Sequence, residues 1–432
     1  MIHRLRWWIG GLLLASTVIN YIDRQTLSLL APFLKVQYHW TNTDYATIVI
    51  AFRFAYSIGQ SAFGRLMDRI GSRRGLTLTV AWYSIVSMLT SLAAGFWSFA
   101  GLRFLLGAGE SGNWPAATKV VGEWFPRQER ALATALFDSG SSLGGAVAPF
   151  LVLGIYFRWG WRPAVMVPGV LGFFWLFFWR RFYQPLDTHP RLSAEERQFI
   201  TAAVTDASFP LERTAKTPWL GLLKLRQTWA IVAAKAFTDP VWYFVADWFP
   251  IYLVAKGINL RSSLLAIWIP FLATDAGNFF SGWLSGVLIR RGWSLEAARK
   301  AFIVGGGIGM LLLIPTIFTA NVYAITALFA LATFSYGCFT TIANVLPADL
   351  FENDSVASVS GISNTGAGLC TIVAFLLVGV VSDARHAAVV HSFDPILIGA
   401  GLLPFLGMIL VLFLLRTESE PVRQVHARSS QS

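Results

Sequence analysis

Four charged residues lie within apolar stretches of the chain, in a pattern that could bind an anion and carry protons. Asp23 and Arg24 are adjacent, whereas Arg103 and Glu110 are seven residues apart. Seven residues make about two helical turns, so the second pair shares a helix face, and adjacent residues point about 100° apart, so the first pair can reach one cavity. Arginine grips a carboxylate through two hydrogen bonds and stays charged, while a buried carboxyl group loads or releases a proton as a charged partner moves.

Charge inside a membrane is costly, which makes each such residue a candidate site. Even on a lenient scale, one charge at the bilayer centre costs about 2.5 to 3.5 kcal/mol. We favour a functional role for Arg103 with Glu110, and a permanent ion pair that only joins helices is the alternative. For Asp138 and Asp275, a structural role in capping or bridging helices is equally open. The other charged residues considered in or near apolar stretches are Arg53, Asp239 and Asp247.

The surrounding stretches are long enough to cross a bilayer. Hydrophobic residues make up 55% of the 432 residues and charged residues 13%, whereas about a quarter of residues are charged in ordinary globular domains. A helix needs roughly 20 apolar residues to span the hydrocarbon core. Such runs occur at 7–31, 45–66, 76–95, 98–121, 131–155, 163–182, 228–255, 263–289, 300–318, 321–346, 355–381 and 393–415. Because the strands of membrane barrels alternate in polarity, these runs predict an all-α membrane protein with twelve transmembrane helices.

The excess of basic residues follows from membrane topology. The formal net charge is +11. With both termini in the cytoplasm, and with charges at the ends of a run counted with the adjoining loop, the predicted cytoplasmic segments hold 23 Lys and Arg, the opposite side holds 6, and the interiors of the apolar segments hold 5. This asymmetry matches the positive-inside rule for a multi-pass protein of a bacterial-type inner (plasma) membrane. The charge therefore indicates orientation in a lipid bilayer and not binding to nucleic acid.

The spacing of the runs indicates two halves of six segments each. We expect an N-terminal six-helix bundle at 1–182, a cytoplasmic linker at 183–227, a C-terminal six-helix bundle at 228–416 and a cytoplasmic tail at 417–432. Residues 193–196 of the linker read Ser-Ala-Glu-Glu, a capping-box pattern that predicts a short amphipathic helix on the cytoplasmic surface. Residues 131–152 also resemble 357–378, so we expect two pseudo-symmetric bundles with the substrate between them.

The loop after the second apolar run carries a sequence that resembles the signature of the major facilitator superfamily. Residues 64–74 read Gly-Arg-Leu-Met-Asp-Arg-Ile-Gly-Ser-Arg-Arg. The glycine lets helices approach closely, and Asp68 can lie beside a helix N-terminus or an arginine. The matching stretch of the second half, residues 282–291, lacks the acid, which argues against a paired gate of the same type. The resemblance implies a gate motif formed by Gly64, Asp68, Arg69, Gly71, Arg73 and Arg74.

Further motifs resemble the anion:cation symporter family of that superfamily, whose members include hexuronate and aldonate carriers. They lie at 20–24 (Asn-Tyr-Ile-Asp-Arg), 103–110, 123–126 (Glu-Trp-Phe-Pro) and 239–244. The resemblance implies that Asp23 and Glu110 carry protons. It also implies that Arg103 is their partner and that Arg24 anchors a substrate carboxylate. The further substrate-binding residues that we expect are Tyr21, Tyr56, Gln60, Ser141, Trp242, Tyr243, Asn364 and Thr365.

The expected function is secondary active uptake of a small organic anion by proton symport and alternating access. A sugar acid such as a hexuronate or aldonate is the expected substrate. A sodium-coupled or exchanging organic-anion carrier, or a metabolite exporter of the same fold, are the alternatives. Since the sequence shows no catalytic motif and no metal-ligand spacing, we expect no enzyme activity, no metal and no cofactor, with the proton gradient as the energy source. We expect the chain to function as a monomer.

Overall fold

Helices make up nearly all of the chain that the computed structural model describes, which comprises residues 4–204, 219–256, 264–384 and 393–415. These ranges contain α-helices and short 3-10 turns, and none of them contains a strand. Twelve helical segments coincide with the twelve apolar runs of the sequence. They are α1 (Leu5–Tyr38), α2 (Asn42–Ile70), α3 (Ser72–Thr90), α4 (Phe96–Glu110 and Asn113–Trp124), α5 (Arg127–Asp138 and Gly140–Trp159), α6 (Trp161–Phe182), α7 (Arg226–Ala236 and Asp239–Ala255), α8 (Leu264–Arg290), α9 (Leu295–Gly309, continued by the 3-10 turn Met310–Phe318), α10 (Val322–Leu350), α11 (Val356–Ala384) and α12 (Asp394–Leu414).

Length and apolar composition fit these helices to a bilayer. Large apolar side chains such as Phe150, Phe177 and Leu376 are more than half exposed, which is expected where a surface faces lipid and not water. Within the described ranges, six helices could span a membrane by length and composition alone: Arg127–Trp159, Trp161–Phe182, Leu295–Phe318, Val322–Leu350, Val356–Val378 and Asp394–Leu414.

Each half packs around its own apolar core. In the first half, side chains of α1, α3, α4 and α6 meet around Tyr83, Trp124 and Trp179, all three almost fully buried. In the second half, α7, α9, α10 and α12 meet around Phe339 and Met408. The two cores are largely separate, with Ala357 of α11 joining the first and Ala131 of α5 joining the second, so each half buries most of its apolar residues by itself.

A short helix follows the first half. This linker helix (Ala194–Val204) begins after Ser193, whose hydroxyl accepts a hydrogen bond from the Glu196 backbone N–H at 3.2 Å. The carboxylate of Glu196 lies 2.7 Å from Arg6, which also pairs with Glu129 at 2.7 Å. The linker helix is thereby fixed to the start of α1. Residues 205–218 of the expected linker and the expected tail at 417–432 lie outside the described residues.

The two halves approach closely at the predicted cytoplasmic end. A Cβ atom added at Gly64 of α2 would lie 2.3 Å from the Ala357 carbonyl oxygen of α11, and one at Gly282 of α8 would lie 2.9 Å from the Ala131 carbonyl oxygen of α5. Real Cβ atoms do not come that near a backbone oxygen, so glycine is required at both crossings. The hydrogen bonds between halves also cluster at this end and at mid-membrane. The structure is therefore closed toward the predicted cytoplasm.

Candidate functional site

Three of the twelve helical segments, α4, α5 and α7, are interrupted, and an acidic residue lies at each interruption. The first piece of α4 ends at Glu110, the first piece of α5 ends at Asp138, and the second piece of α7 begins with Asp239. Interrupted helices leave backbone groups and polar side chains available within the membrane, where transporters bind substrates and coupling ions. Three of the acids flagged by the sequence thus lie where irregular backbone is tolerated.

Arg24 and Glu110 form a buried ion pair at the centre of the first half. Arg24 Nε donates to Glu110 Oε2 at 2.7 Å, with Glu110 fully buried and the Arg24 side chain 17% exposed. The sequence suggested Arg103 as the partner of Glu110, since both lie on one face of α4. The ion pair seen in the structure instead joins α4 to α1. A shared helix face did not determine the partner of Glu110, because the neighbouring helix α1 brings a second arginine, Arg24, to the same carboxylate.

Aromatic rings surround the Arg24 guanidinium. Its central carbon lies 4.2 Å from the ring centroid of Tyr56, 5.1 Å from that of Tyr21 and 5.6 Å from that of Phe52. Such contacts favour a cation that is partly removed from water. The rings hold the guanidinium in place and leave one of its nitrogens, Nη2, without a hydrogen-bond partner among the described residues. That nitrogen could donate to a bound anion.

Asp23 and Arg103 lie beside this ion pair and are also buried, at 3% and 5% exposure. Arg103 interacts electrostatically with both Asp23 and Glu110. In the part of the chain that is described, one atom of each lacks a hydrogen-bond partner, namely Asp23 Oδ2, Glu110 Oε1 and Arg103 Nε. Two acids and two arginines balance in charge, yet their hydrogen bonds are incomplete. We call Asp23, Arg24, Arg103 and Glu110 the central charge cluster.

The remaining predicted residues of the first half occupy different surroundings. Gln60 is buried, and its Oε1 has no partner among the described residues. The Ser141 hydroxyl donates to the Asp138 carbonyl oxygen at 2.7 Å. Gln60 therefore has unused hydrogen-bonding capacity, whereas Ser141 uses its hydroxyl within its own helix.

The predicted residues of the second half lie on α7 and α11. Trp242 stacks on Tyr336 with centroids 5.6 Å apart and planes at 6°, and Tyr243 faces Arg53 of α2 at 5.6 Å. Asn364 is buried. The Thr365 hydroxyl donates to the Ser57 carbonyl oxygen at 2.7 Å, so in this conformation it joins α11 to α2. The side chain of Asp247 lies outside what the structure describes.

Lys235 of α7 is a buried charge that our sequence analysis did not select. Its Nζ lies 3.2 Å from Asp239 Oδ2 and donates to Asn344 Oδ1 at 2.7 Å. Asn344 in turn donates to Asp138 Oδ2 at 2.9 Å, across the interface between halves. The signal was present, because Lys235 lies in an apolar run and intramembrane charges are candidate sites by default. We call Asp138, Lys235, Asp239 and Asn344 the interface network.

Asp68 of the signature loop binds the start of α11. Its carboxylate accepts the Ser358 N–H at 2.7 Å and the Ala357 N–H at 3.3 Å, and Lys119 lies 2.8 Å away. The first N–H groups of a helix lack partners within the helix, and the helix dipole favours an anion there. Lys119 also donates to the Asn353 carbonyl oxygen. One acid of the first half therefore caps a helix of the second.

A second charged contact between the halves forms around Asp349 of α10, and we call the contacts around Asp68 and Asp349 the two gates. Its two carboxylate oxygens lie 3.3 Å from Arg130 and 2.9 Å from Arg299, and Arg299 also donates to the Arg127 carbonyl oxygen at 3.0 Å. The absence of an acid from 282–291 made such a gate doubtful. The structure supplies the acid from a different helix, which a comparison of matching loops could not reveal.

The other predicted gate residues lie around the α2–α3 turn. Gly71 has φ of +81°, a left-handed conformation that glycine adopts without strain. Arg73 donates to the Arg180 carbonyl oxygen at 3.0 Å, which ties α3 to the end of α6. Arg69 and Arg74 are exposed. These arginines lie at the predicted membrane surface, away from the central charge cluster.

Comparison with known proteins agrees with this architecture. Residues 13–296 match the family model described as Major Facilitator Superfamily. The chain is 32% identical over 427 residues to a probable galactarate/D-glucarate transporter of Escherichia coli K12, which covers 94% of each chain. It is 29% identical over 387 residues to a hexuronate transporter of the same strain, which covers 88% of this chain and 89% of the relative.

Solved structures show the same fold. A proton:xylose symporter bound to 6-bromo-6-deoxy-D-glucose superposes with a TM-score of 0.71 at 16% identity, over 95% of this chain and 96% of that one. A major facilitator transporter in the outward conformation superposes with a TM-score of 0.65 at 18% identity, over 96% and 100% of the two chains. The prediction of an all-α, twelve-helix membrane protein is confirmed. The chain belongs to the Major Facilitator Superfamily and is a transporter.

Proposed function

We propose that this transporter takes up a small organic anion, a sugar acid such as a hexuronate or aldonate, together with protons. The curated relatives described above are named as transporters of sugar acids. The observation that carries the proposal is the Arg24–Glu110 ion pair, whose distance is 2.7 Å. It puts a fixed cation and a titratable acid in direct contact, within a buried and aromatic environment.

Competition for Arg24 would couple the proton to the anion. While Glu110 is ionised it occupies the guanidinium that a substrate carboxylate needs. A proton on Glu110 removes that charge, so the incoming carboxylate becomes the stronger partner of Arg24. Release of the substrate restores the ion pair and expels the proton. Each ligand thereby favours binding of the other, which is the requirement for symport.

Asp23 and Arg103 would complete the exchange. Removal of the charge on Glu110 leaves Asp23 as the acid that faces Arg103. One Asp23 oxygen has no hydrogen-bond partner in the described part of the chain, so it can accept a further hydrogen bond. Asp23 therefore stabilises Arg103 while Glu110 is protonated, and it is the second group to which the proton can pass. This assignment keeps the charge of the cluster close to neutral in each step, as a buried site requires.

Substrate hydroxyl groups would be recognised by neutral side chains beside Arg24. Tyr21 and Tyr56 lie against the guanidinium, and the buried Gln60 has an oxygen with no hydrogen-bond partner among the described residues. An aromatic ring contacts the apolar face of a sugar, while phenol and amide groups exchange hydrogen bonds with hydroxyls. This composition suits a hydroxylated acid better than an apolar one.

Transport would require the two gates to open and the halves to rock about the central site. The proposed location is a bacterial-type inner membrane, with both termini in the cytoplasm. The proposed functional unit is the monomer. One negative charge that enters against the membrane potential costs about 2.3 kcal/mol per 100 mV. One proton per monoanion cancels this cost, and a second proton lets the potential drive uptake.

A thermal-shift screen of the purified protein tests the substrate class. D-glucuronate and D-galactonate should raise the unfolding temperature, because a ligand at 100 times its Kd stabilises by about 2.7 kcal/mol. Glucose and galactose, which lack the carboxylate, should not do so at equal concentration. In the matched Arg24→Ala variant, the acids should lose their effect. Equal stabilisation by acids and neutral sugars would overturn the arginine-centred site.

A further inference from the structure

The interface network holds one more acid than its cation can neutralise. Lys235 is the single lysine or arginine of this group, and Asp239 lies beside it at 3.2 Å. Asp239 also occupies the first turn of its helix, where the helix dipole favours a negative charge. These two residues therefore form an ion pair through Asp239 Oδ2, although Asp239 Oδ1 has no hydrogen-bond partner among the described residues. Asp138 is therefore the acid of the interface network that has no cation of its own.

Asp138 is poorly satisfied as an anion. It is 7% exposed, and its hydrogen bond at Oδ2 comes from the neutral amide of Asn344 at 2.9 Å. Its other oxygen, Oδ1, has no partner in the described ranges. An ionised carboxylate in such surroundings would lack both a counter-ion and most of its hydrogen bonds. A buried acid in that position takes up a proton instead.

Among the described residues, the other groups that face Asp138 do not supply a free cation. From α7 come Lys235 and Asp239, which neutralise each other, and from α8 comes the acid Asp275. Tyr336 of α10 and Tyr21 of α1 are neutral phenols. The central charge cluster has two acids and two arginines, whereas here the described charged groups leave Asp138 in excess. The two sites therefore differ in the number of protons that they need.

We propose that Asp138 is a second proton-binding site, which is protonated while the halves are closed toward the predicted cytoplasm. Asp138 belongs to the first half, and Asn344 and Lys235 belong to the second. When the halves separate at this end, water reaches the carboxyl group, which then ionises at neutral pH like any solvated aspartic acid. Its O–H bond breaks, and the proton passes to that water. In transport this inference rests on the proposed function, to which it adds one proton per cycle.

Infrared spectroscopy of the purified full-length protein tests the site without any substrate. At neutral pH, Asp138→Asn should remove a carboxylic-acid C=O band, since the variant no longer has that acid. The variant should keep the local structure, because asparagine has the size of aspartic acid and can still accept the Asn344 hydrogen bond. The control is Asp44→Asn, at the exposed start of α2, where the carboxylate accepts two hydrogen bonds from Thr41. That variant should remove carboxylate bands only. Loss of carboxylate bands in Asp138→Asn would overturn the proposal.

A second variant keeps the test decisive if Asp138→Asn does not fold. Asn344→Leu leaves Asp138 in place and removes its hydrogen-bond donor. The acid band should then shift in frequency, and an unchanged band would show that it arises elsewhere. Size-exclusion chromatography establishes that each variant is folded before its spectrum is compared.

Transport in proteoliposomes gives the functional consequence, with D-glucuronate and D-galactonate as probes. The proton-to-anion ratio, measured from the reversal potential, should fall by one in Asp138→Asn. An unchanged ratio would contradict a transported proton on Asp138. If the unmodified protein shows no proton-driven flux with either probe, the proposed function fails, while the infrared result still decides whether Asp138 binds a proton.

Discussion

Acids at the gates and acids at the centre differ in how fully they are paired. Both oxygens of Asp68 and both of Asp349 accept hydrogen bonds from the described residues around them. By contrast, Glu110 and Asp23 each retain one buried oxygen without a partner in the described chain. The gates are thus complete as they stand. The centre still has hydrogen bonds to make, which is expected of a site that exchanges partners during transport.

This difference suggests that one set of ion pairs keeps the two halves closed while another set is available to bind a ligand. A buried ion pair with complete hydrogen bonds is stable only while its partners stay together, so it marks the closed state of a gate. A cluster with unused donors and acceptors can accept a ligand without first breaking all its bonds. Under the proposed mechanism, incomplete pairing therefore distinguishes the central charge cluster from the gates better than the presence of charge does.

Breaking the gate should have the largest effect on stability. Asp349→Ala leaves Arg130 and Arg299 buried without their carboxylate, at exposures of only 3% and 2%. Removal of one partner from a buried pair costs about 3 to 5 kcal/mol. We expect a clear fall in the thermal unfolding midpoint in detergent. An unchanged midpoint would show that Asp349 is dispensable for the closed state.

A substitution in the central charge cluster should change the affinity for the ligand. Arg24→Lys keeps the positive charge but loses the planar fork that grips a carboxylate and lies against the rings. Since hydrogen bonds to charged groups contribute about 1.5 to 3 kcal/mol, binding of D-glucuronate should weaken by about 10- to 100-fold in calorimetric titration. Wild-type affinity in this variant would argue that the charge alone recognises the anion.

Sequence was sufficient for the twelve helices but not for the pairing of their charges. Continuous apolar runs determine where a chain must be helical in lipid, because every backbone group has to be satisfied within the helix. The partner of Glu110 depends instead on how α1 lies against α4. Spacing along α4 correctly placed Arg103 and Glu110 on one face, yet it could not reveal that Arg24 reaches the same carboxylate first.

The second gate and the interface network show the same limit. Asp349 and Lys119 lie far in sequence from the charged residues that they contact, so no local motif joined them. Lys235 pairs with Asp239 four residues later, but its contact with Asn344 of α10 is equally distant in sequence. Lys235 could still have been selected as an intramembrane charge. The excess acid at Asp138 became evident only once its neighbours on α7, α8 and α10 were known.

Close packing between the halves can be tested by a glycine-to-alanine substitution, which adds one methyl group. At Gly64→Ala the new Cβ would lie 2.3 Å from the Ala357 carbonyl oxygen, so the helices must move apart. Overpacking of this kind costs about 1 to 3 kcal/mol. Gly145→Ala is the control, because no described heavy atom lies within 4 Å of its added Cβ. Equal unfolding midpoints for the two variants would remove the glycine crossing from the account.

A solvent-facing ion pair should contribute least. Glu296 pairs with Lys300 four residues later on α9, and both side chains are about one quarter exposed, at 27% and 25%. Such a pair contributes about 0.3 to 0.5 kcal/mol. Glu296→Gln should therefore change the unfolding midpoint only slightly. A loss as large as that of Asp349→Ala would contradict the distinction between complete buried gates and surface pairs.

The most direct test of the account compares accumulation with exchange in proteoliposomes. With D-glucuronate as the probe, the unmodified protein should accumulate the anion when an inward proton gradient is imposed. Asp23→Asn and Glu110→Gln should abolish that accumulation, while Glu110→Gln should retain counterflow exchange, because Arg24 is left free to bind the anion. Normal proton-driven accumulation by both variants would contradict the exchange of partners at Arg24 on which the proposed mechanism depends.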